Sequence, residues 1–154
     1  MKRKMIFILL FYFWGQGMIH DAFGQGGGLM DLNAYRWRNR LLMVFSPAQD
    51  EPNYQSFIKE VQVQRNGLRD RDVLVLEILE KGESRLGKSP LKKDSAVFLR
   101  EQFGIPPGYF CILLIGKDGE EKRRWESMGG LGVIFSVVDA MPMRQRELKV
   151  KSTF

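Results

Sequence analysis

Three unbroken apolar runs constrain this chain more than any other feature of it. Leu41-Leu42-Met43-Val44-Phe45, Val73-Leu74-Val75-Leu76 and Phe110-Cys111-Ile112-Leu113-Leu114-Ile115 each lack a charged residue to turn toward water. A strand with one wet face alternates, so runs of this kind read as strands covered on both faces. Ser46-Pro47 stops the first run, and Glu77-Ile78 extends the second. Between them, Pro52 suits the first turn of a helix, with Asp50 or Glu51 placed to cap its unpaired N–H groups. Tyr54, Phe57, Ile58 and Val61 follow at helical spacing, and Asn66-Gly67 is expected to end that helix. Strand, helix, strand then requires a right-handed crossover.

Residues 80–94 are polar and contain Gly82, Gly87 and Pro90, which predicts a mobile loop. Asp94 or Ser95 opens a short helix carrying Val97, Phe98 and Phe103, closed by Gly104. The adjacent prolines 106 and 107 exclude helix and central strand, because each removes a backbone donor. After the third apolar run, Lys117-Asp118-Gly119-Glu120 signals a hairpin, with residues 121–125 as a charged fourth strand. Val133, Ile134, Val137, Val138 and Met141 form an apolar stripe on a last helix that Pro142 stops. Residues 144–154 read as a basic, frayed tail. The result is an α/β fold, a mixed four-stranded sheet with helices on both faces, which is the thioredoxin-like arrangement.

The start of the chain reads differently. Met1-Lys2-Arg3-Lys4 is basic, and residues 5–14 (MIFILLFYFW) are apolar. That run is too short for a bilayer span of about 20 residues and has the length of a signal-peptide core. Ala22-Phe23-Gly24 supplies a cleavage site. The expected organisation is a signal peptide over 1–24, a flexible spacer over 25–31, a thioredoxin-like domain over 32–143 and the basic tail over 144–154. Export to a periplasmic or extracellular space follows, with no stable membrane span after cleavage. The net charge of +6 falls by two once Lys2, Arg3, Lys4 and Asp21 are removed. His20, the one histidine, leaves with the leader, while Cys111, the one cysteine, stays. A mature chain of this kind has no Ser-His or Cys-His pair, no imidazole base, no ordinary zinc, copper or haem ligand set and no intramolecular disulfide. No metal or cofactor is expected.

Two resemblances bear on these residues. Phe103-Gly104-Ile105 through Lys117-Asp118-Gly119-Glu120 resembles the C-terminal half of thioredoxins. Tyr35-Arg36-Trp37-Arg38-Asn39-Arg40 with residues 41–47, residues 103–107, and Asp139-Ala140-Met141-Pro142-Met143-Arg144 are together similar to a secreted, peroxiredoxin-like family of unknown function. That family occurs as stand-alone bacterial proteins and as modules of animal sushi-repeat and matrix proteins. The resemblance covers roughly residues 32–147 and implies the fold without assigning an activity. In redox-active thioredoxins and peroxiredoxins the reactive cysteine lies on the loop and first helical turn after the first core strand. Here residues 46–53 occupy that segment and contain no sulfur. Aligned on the Lys-Asp-Gly-Glu turn, Cys111 falls nearest the thioredoxin cis-proline, with Pro106 and Pro107 several residues early.

Each candidate residue has two readings. Cys111 is a reactive thiol at the active-site edge of the sheet, or a buried core cysteine whose thiol is pushed up by burial. Ser46, Gln49 and Asp50 on the vacated catalytic loop, with Pro107 and Tyr109 on the proline turn, form a ligand site, or Asp50 is only a helix cap. Arg36, Arg38 and Arg40 alternate along an extended face, and Lys122, Arg123 and Arg124 adjoin Trp125. Such basic segments bind polyanions, or they are a solvated surface that protects a sheet edge. Gly129-Gly130-Leu131-Gly132 lacks the Lys-Ser/Thr of a phosphate loop and reads as the start of a helix. The sequence therefore points to an exported binding module without a redox centre, acting on a protein partner, with nucleic acid disfavoured. Its rivals are a one-cysteine peroxiredoxin-like oxidoreductase using Cys111 and a polyanion-binding surface protein.

Overall fold

The first apolar run becomes β1 (Arg40–Ala48), whose residues from Arg40 to Ser46 are all buried. The computed structural model describes residues 29–127 and 129–153; the expected leader and most of the expected spacer lie outside the described residues. A 3-10 turn, Leu32–Tyr35, precedes β1, and α1 (Pro52–Val63), α2 (Arg65–Asp70) and β2 (Val73–Lys81) follow it. Next come β3 (Arg85–Leu86), β4 (Ser89–Pro90), α3 (Lys93–Gln102), β5 (Cys111–Ile115), β6 (Glu121–Trp125), α4 (Leu131–Asp139) and α5 (Pro142–Lys151). The sheet order is β4-β3-β2-β1-β5-β6. β1 pairs β2 in parallel, the crossover that strand, helix, strand demands, and pairs β5 antiparallel. The Asp-Gly turn joins β5 to β6 as the sequence predicts.

Alternation along β1 divides the core in two. Leu42 and Val44 face α1, α2 and α4, where Tyr54, Phe57, Leu68, Leu131, Ile134 and Val138 cover them. Leu41, Met43 and Phe45 face α3, with Leu76, Ile78, Ala96, Leu99 and Leu113 around them. This is the thioredoxin-like class, with six strands rather than four. The extra pair comes from the predicted loop: the Ser84 hydroxyl accepts from Leu79 N–H at 2.8 Å and Ser84 C=O accepts from Leu91 N–H at 2.7 Å, which folds residues 80–94 back on β2. Two-residue strands carry no hydrophobic period, so the sequence pattern does not show them.

Several local expectations change. Of the two candidate caps, Glu51 is the one used, accepting from Tyr54 N–H at 2.6 Å, and Asp50 is exposed. Asn66-Gly67 does not end a helix; it lies inside α2, where a Cβ on Gly67 would sit 2.8 Å from the Phe135 ring. Gly67 is there for close approach. On α3 the buried residues are Ser95, Ala96, Leu99 and Arg100, while Val97 and Phe98 are 47% and 38% exposed. Ser95 Oγ accepts from Met30 N–H at 3.1 Å, which holds that face of the helix inward.

The basic tail is the largest correction. α4 ends at Asp139, short of Pro142, which instead opens α5, placed at the first helical turn where its missing N–H costs nothing. Arg144 is 2% exposed: it donates to the Asp70 carboxylate, to Asp70 C=O at 2.8 Å and to Asp139 Oδ1 at 3.3 Å. Nor do Arg36, Arg38 and Arg40 share an extended face. Trp37 takes φ +64, which turns the chain, and Arg40 is buried with its Nη2 on Glu147 Oε1 at 3.2 Å and its Nη1 on Arg71 C=O at 2.8 Å. Lys117 joins them, 2.8 Å from both Glu147 and Asp72. Lys151 and Arg144 hold Asp70 below the usual carboxylate range. Burial raises Asp139 and Glu147, but Arg71 and Arg144 in the first case, and Lys117 and Arg40 in the second, outweigh it and hold both low.

Carboxylates held low in the fold add stability that is complete above their unfolded values, about pH 4, and is lost as pH falls through the folded ones. Urea titrations are therefore expected to show stability dropping below about pH 4. Arg144→Ala flattens that drop and costs about 2 kcal/mol at neutral pH, because it removes a buried guanidinium that joins the half-exposed Asp70 to Asp139. Arg123→Ala, on exposed β6, stays within about 0.5 kcal/mol.

Candidate functional site

In this fold the end of β1 and the start of α1 form a corner at the C-terminal edge of the parallel strands. The sequence places Ser46, Gln49 and Asp50 there. Ser46 is fully buried, and its hydroxyl donates to Ala48 C=O at 2.8 Å, so it is a turn-former turned away from solvent. Gln49 is exposed and packs beside Gly82 on the turn after β2. Pro107 and Tyr109 lie on the turn before β5, Tyr109 58% exposed. No described peptide bond is cis, so the proline turn does not reproduce the thioredoxin cis-proline.

One residue that the sequence did not single out ties these pieces together. Arg100, on the inward face of α3, donates through Nη2 to Glu80 Oε1 at 2.5 Å and Pro106 C=O at 2.8 Å, and through Nη1 to Ser46 C=O at 3.4 Å. Its guanidinium sits 5.9 Å from the Phe45 ring centroid. Glu80 also accepts from Gly108 N–H at 2.7 Å. A single planar fork thus holds the ends of β1 and β2, α3 and the proline turn. Its donors face carbonyls and a carboxylate that are already engaged, which makes it a clamp rather than a reactive centre. The only sequence hint was an arginine at an inward helical position, spaced with Ala96 and Phe103.

Cys111 opens β5, opposite Phe45 of β1, and is 4% exposed. It packs on the α3 face, whereas Tyr54 and Phe57 place α1 on the other. The N–H groups at the start of α1 therefore cannot lower its pKa. Burial pushes the Cys111 thiol up; Arg124 and Arg100 pull it down, Glu126 and Glu121 push it up, and burial prevails. Among the described residues no three His, Cys, Asp or Glu side chains converge as a metal site.

A second buried polar group lies beneath α1. Tyr54 Oη donates to the Glu77 carboxylate, which also accepts from Arg85 Nε at 3.1 Å. Burial and that carboxylate push Tyr54 up to about 12, against the opposing pull of Arg85. Helix α4 shows the same economy of charge: Glu60 of α1 accepts from Leu131 N–H at 2.7 Å, so the glycine-rich start already has its anion. The basic β6 strand is similarly engaged, Lys122 with Asp118 and Glu120, and Arg124 with Glu121.

A family model described as "Domain of unknown function (DUF4174)" matches residues 31–147. The chain belongs to this family. The matched stretch runs from just ahead of the 3-10 turn to Glu147, the partner of Arg40, so it takes in the first part of α5 as well as the sheet. Similar proteins include coiled-coil domain-containing protein 80 of Danio rerio, 28% identical over 79% of this chain and 16% of its own length. Sushi repeat-containing protein SRPX2 of Xenopus laevis is 28% identical over 72% of this chain and 25% of its own. For human SRPX the figures are 26%, 79% and 27%. The chain thus spans about a quarter or less of these relatives. Among solved structures, reduced Plasmodium vivax 2-Cys peroxiredoxin superposes with a TM-score of 0.60 at 15% identity, covering 76% of this chain and 72% of that one. The bacterioferritin comigratory protein of Xanthomonas campestris gives 0.52 at 15%, covering 75% and 84%. At that identity the likeness is one of fold alone.

Arg100→Leu is expected to cost about 3 kcal/mol in urea unfolding, since Glu80 keeps its charge without its partner. Arg100→Lys recovers only part of this, because an ammonium cannot span the same acceptors. Cys111→Ala costs about 1 kcal/mol and leaves the fold unchanged by circular dichroism, as for a small core truncation.

Proposed function

We propose that this domain is an exported binding module of thioredoxin-like fold that acts through a protein partner and carries no redox centre. The placement of Cys111 carries the reading. Thiol-disulfide or peroxide chemistry needs an accessible thiolate and a second thiol to resolve the product. The chain's single cysteine is buried on the face away from α1, with its thiol pushed up, and residues 46–53 hold no sulfur. Where that segment begins, the Ser46 carbonyl is held by the Arg100 clamp. Export is supported by the basic start, the apolar run and Ala22-Phe23-Gly24. Relatives in which the matched region is a small share of a longer chain fit a module that serves larger proteins.

The polyanion reading loses ground because Arg40 and Arg144 are buried and Lys122 and Arg124 of β6 face neighbouring carboxylates. The oxidoreductase reading draws on Arg124 and Arg100, whose charges favour the thiolate less than burial disfavours it.

Native Cys111 is expected to label slowly with a thiol reagent and at the ordinary rate in urea, while insulin reduction and peroxide consumption match a protein-free blank. Faster labelling in the native state, or peroxide conversion of Cys111 to a sulfenic acid, replaces this reading with the one-cysteine oxidoreductase. N-terminal mass spectrometry of the expressed full-length chain is expected to find a start at or near Gln25; a soluble cytoplasmic product retaining Met1 removes export from the proposal.

A further inference from the structure

We propose that the open edge of β2 is a docking groove for an extended peptide segment of a protein partner in which apolar and acidic residues alternate. The proposal rests on the binding-module reading and names the partner chemistry.

The backbone provides the first argument. β3 pairs only with Leu76 and Glu77 of β2, and the turn beyond it adds Gly87 N–H to Val75 C=O at 3.0 Å. Main-chain groups alternate sides along a strand. Asp72 C=O accepts from Arg40 N–H at 2.9 Å and so faces β1. The N–H and C=O of Val73 therefore face the opposite side, where no described strand pairs with them. Unpaired edges of this kind are templates for another strand.

The groove along that edge, about 640 Å³, supplies the second. Ile58, Val61 and Leu68 form its wall on the helix side, so one set of alternate side chains on an incoming strand meets apolar surface. Charge supplies the third. Arg65, Arg69, Arg85 and Lys88 line the same groove, against Asp72 and Glu77. Asp72 is engaged with Lys117, and Glu77 with Tyr54 and Arg85. The side chains of Arg65 and Lys88 are exposed and make no hydrogen bond or ion pair among the described residues. The rim is thus cationic in excess and selects an acidic segment. A second copy of this chain does not fit, because two-fold pairing of this edge sets the same cations against one another. Nor does single-stranded nucleic acid, since no groove residue is aromatic and bases would have nothing to stack on.

The test uses the purified full chain and a fluorescein-labelled short peptide of alternating Val and Glu, followed by anisotropy and by amide shifts in NMR. Saturable binding is expected, with the largest shifts at Val73, Val75 and Gly87. The double variant Arg65→Glu, Lys88→Glu is expected to weaken it about tenfold, as reversal of two exposed charges does, with its melting temperature unchanged. Arg123→Glu on β6 leaves it as it was. The same peptide N-methylated at alternate residues loses binding, because strand pairing needs those donors. Absence of saturable binding, equal binding of a Val-Lys peptide, full affinity in the double variant, or shifts confined to residues outside the groove overturns the proposal. Redox assays on the same samples separate the two readings: blank assays without peptide binding remove the groove alone, whereas turnover removes the binding-module reading it rests on.

Discussion

Burial of β1 on both faces is the constraint to which the rest of the domain answers. Once Leu41 through Phe45 are sealed from water, polar groups at either end of the strand must be satisfied inside the protein. A buried guanidinium lies at each end. At the start Arg40 donates to Arg71 C=O and Glu147, with Arg144 nearby donating to Asp70; at the finish Arg100 donates to Ser46 C=O, Glu80 and Pro106 C=O. Arginine suits this work because its donors lie in a rigid plane and its charge is weakly hydrated. The domain has no disulfide to close it, and these forks join segments that are distant in sequence.

What the sequence revealed follows from the range of each interaction. The three core strands, the Asp-Gly hairpin and the Pro52 helix start are written in neighbouring residues, and they appear where the pattern puts them. The face on which Cys111 lies also follows from local rules, given its register opposite Phe45. The arginine forks do not: Arg144 finds Asp70 from 74 residues away, and Arg40 finds Glu147 from 107, so a helix read as a frayed basic tail had no visible partner. The Arg100 clamp was hidden for the same reason. Val97 and Phe98 misled because α3 is oriented by Ser95 and Arg100, polar residues that a hydrophobic stripe ignores.

The likeness to peroxiredoxins is one of fold, and the starts of two helices show how this chain satisfies that fold. Helix N-termini are natural anion sites. Here Glu51 occupies the start of α1 and Glu60 that of α4, so the chain fills with its own carboxylates the two places where a substrate anion or a thiolate would gain most. The backbone groups of Val73 at the edge of β2, by contrast, face no described strand.

The Arg40–Glu147 contact has a topological consequence as well. It joins the first residue of β1 to the last helix, so the sheet begins where the family match ends. Domains whose ends meet can be spliced into a host chain without stretching linkers across the fold or disturbing the host's own termini. The same bond that neutralises a buried arginine thereby brings the first residue of β1 and the end of the family match together, as closing a unit on itself requires.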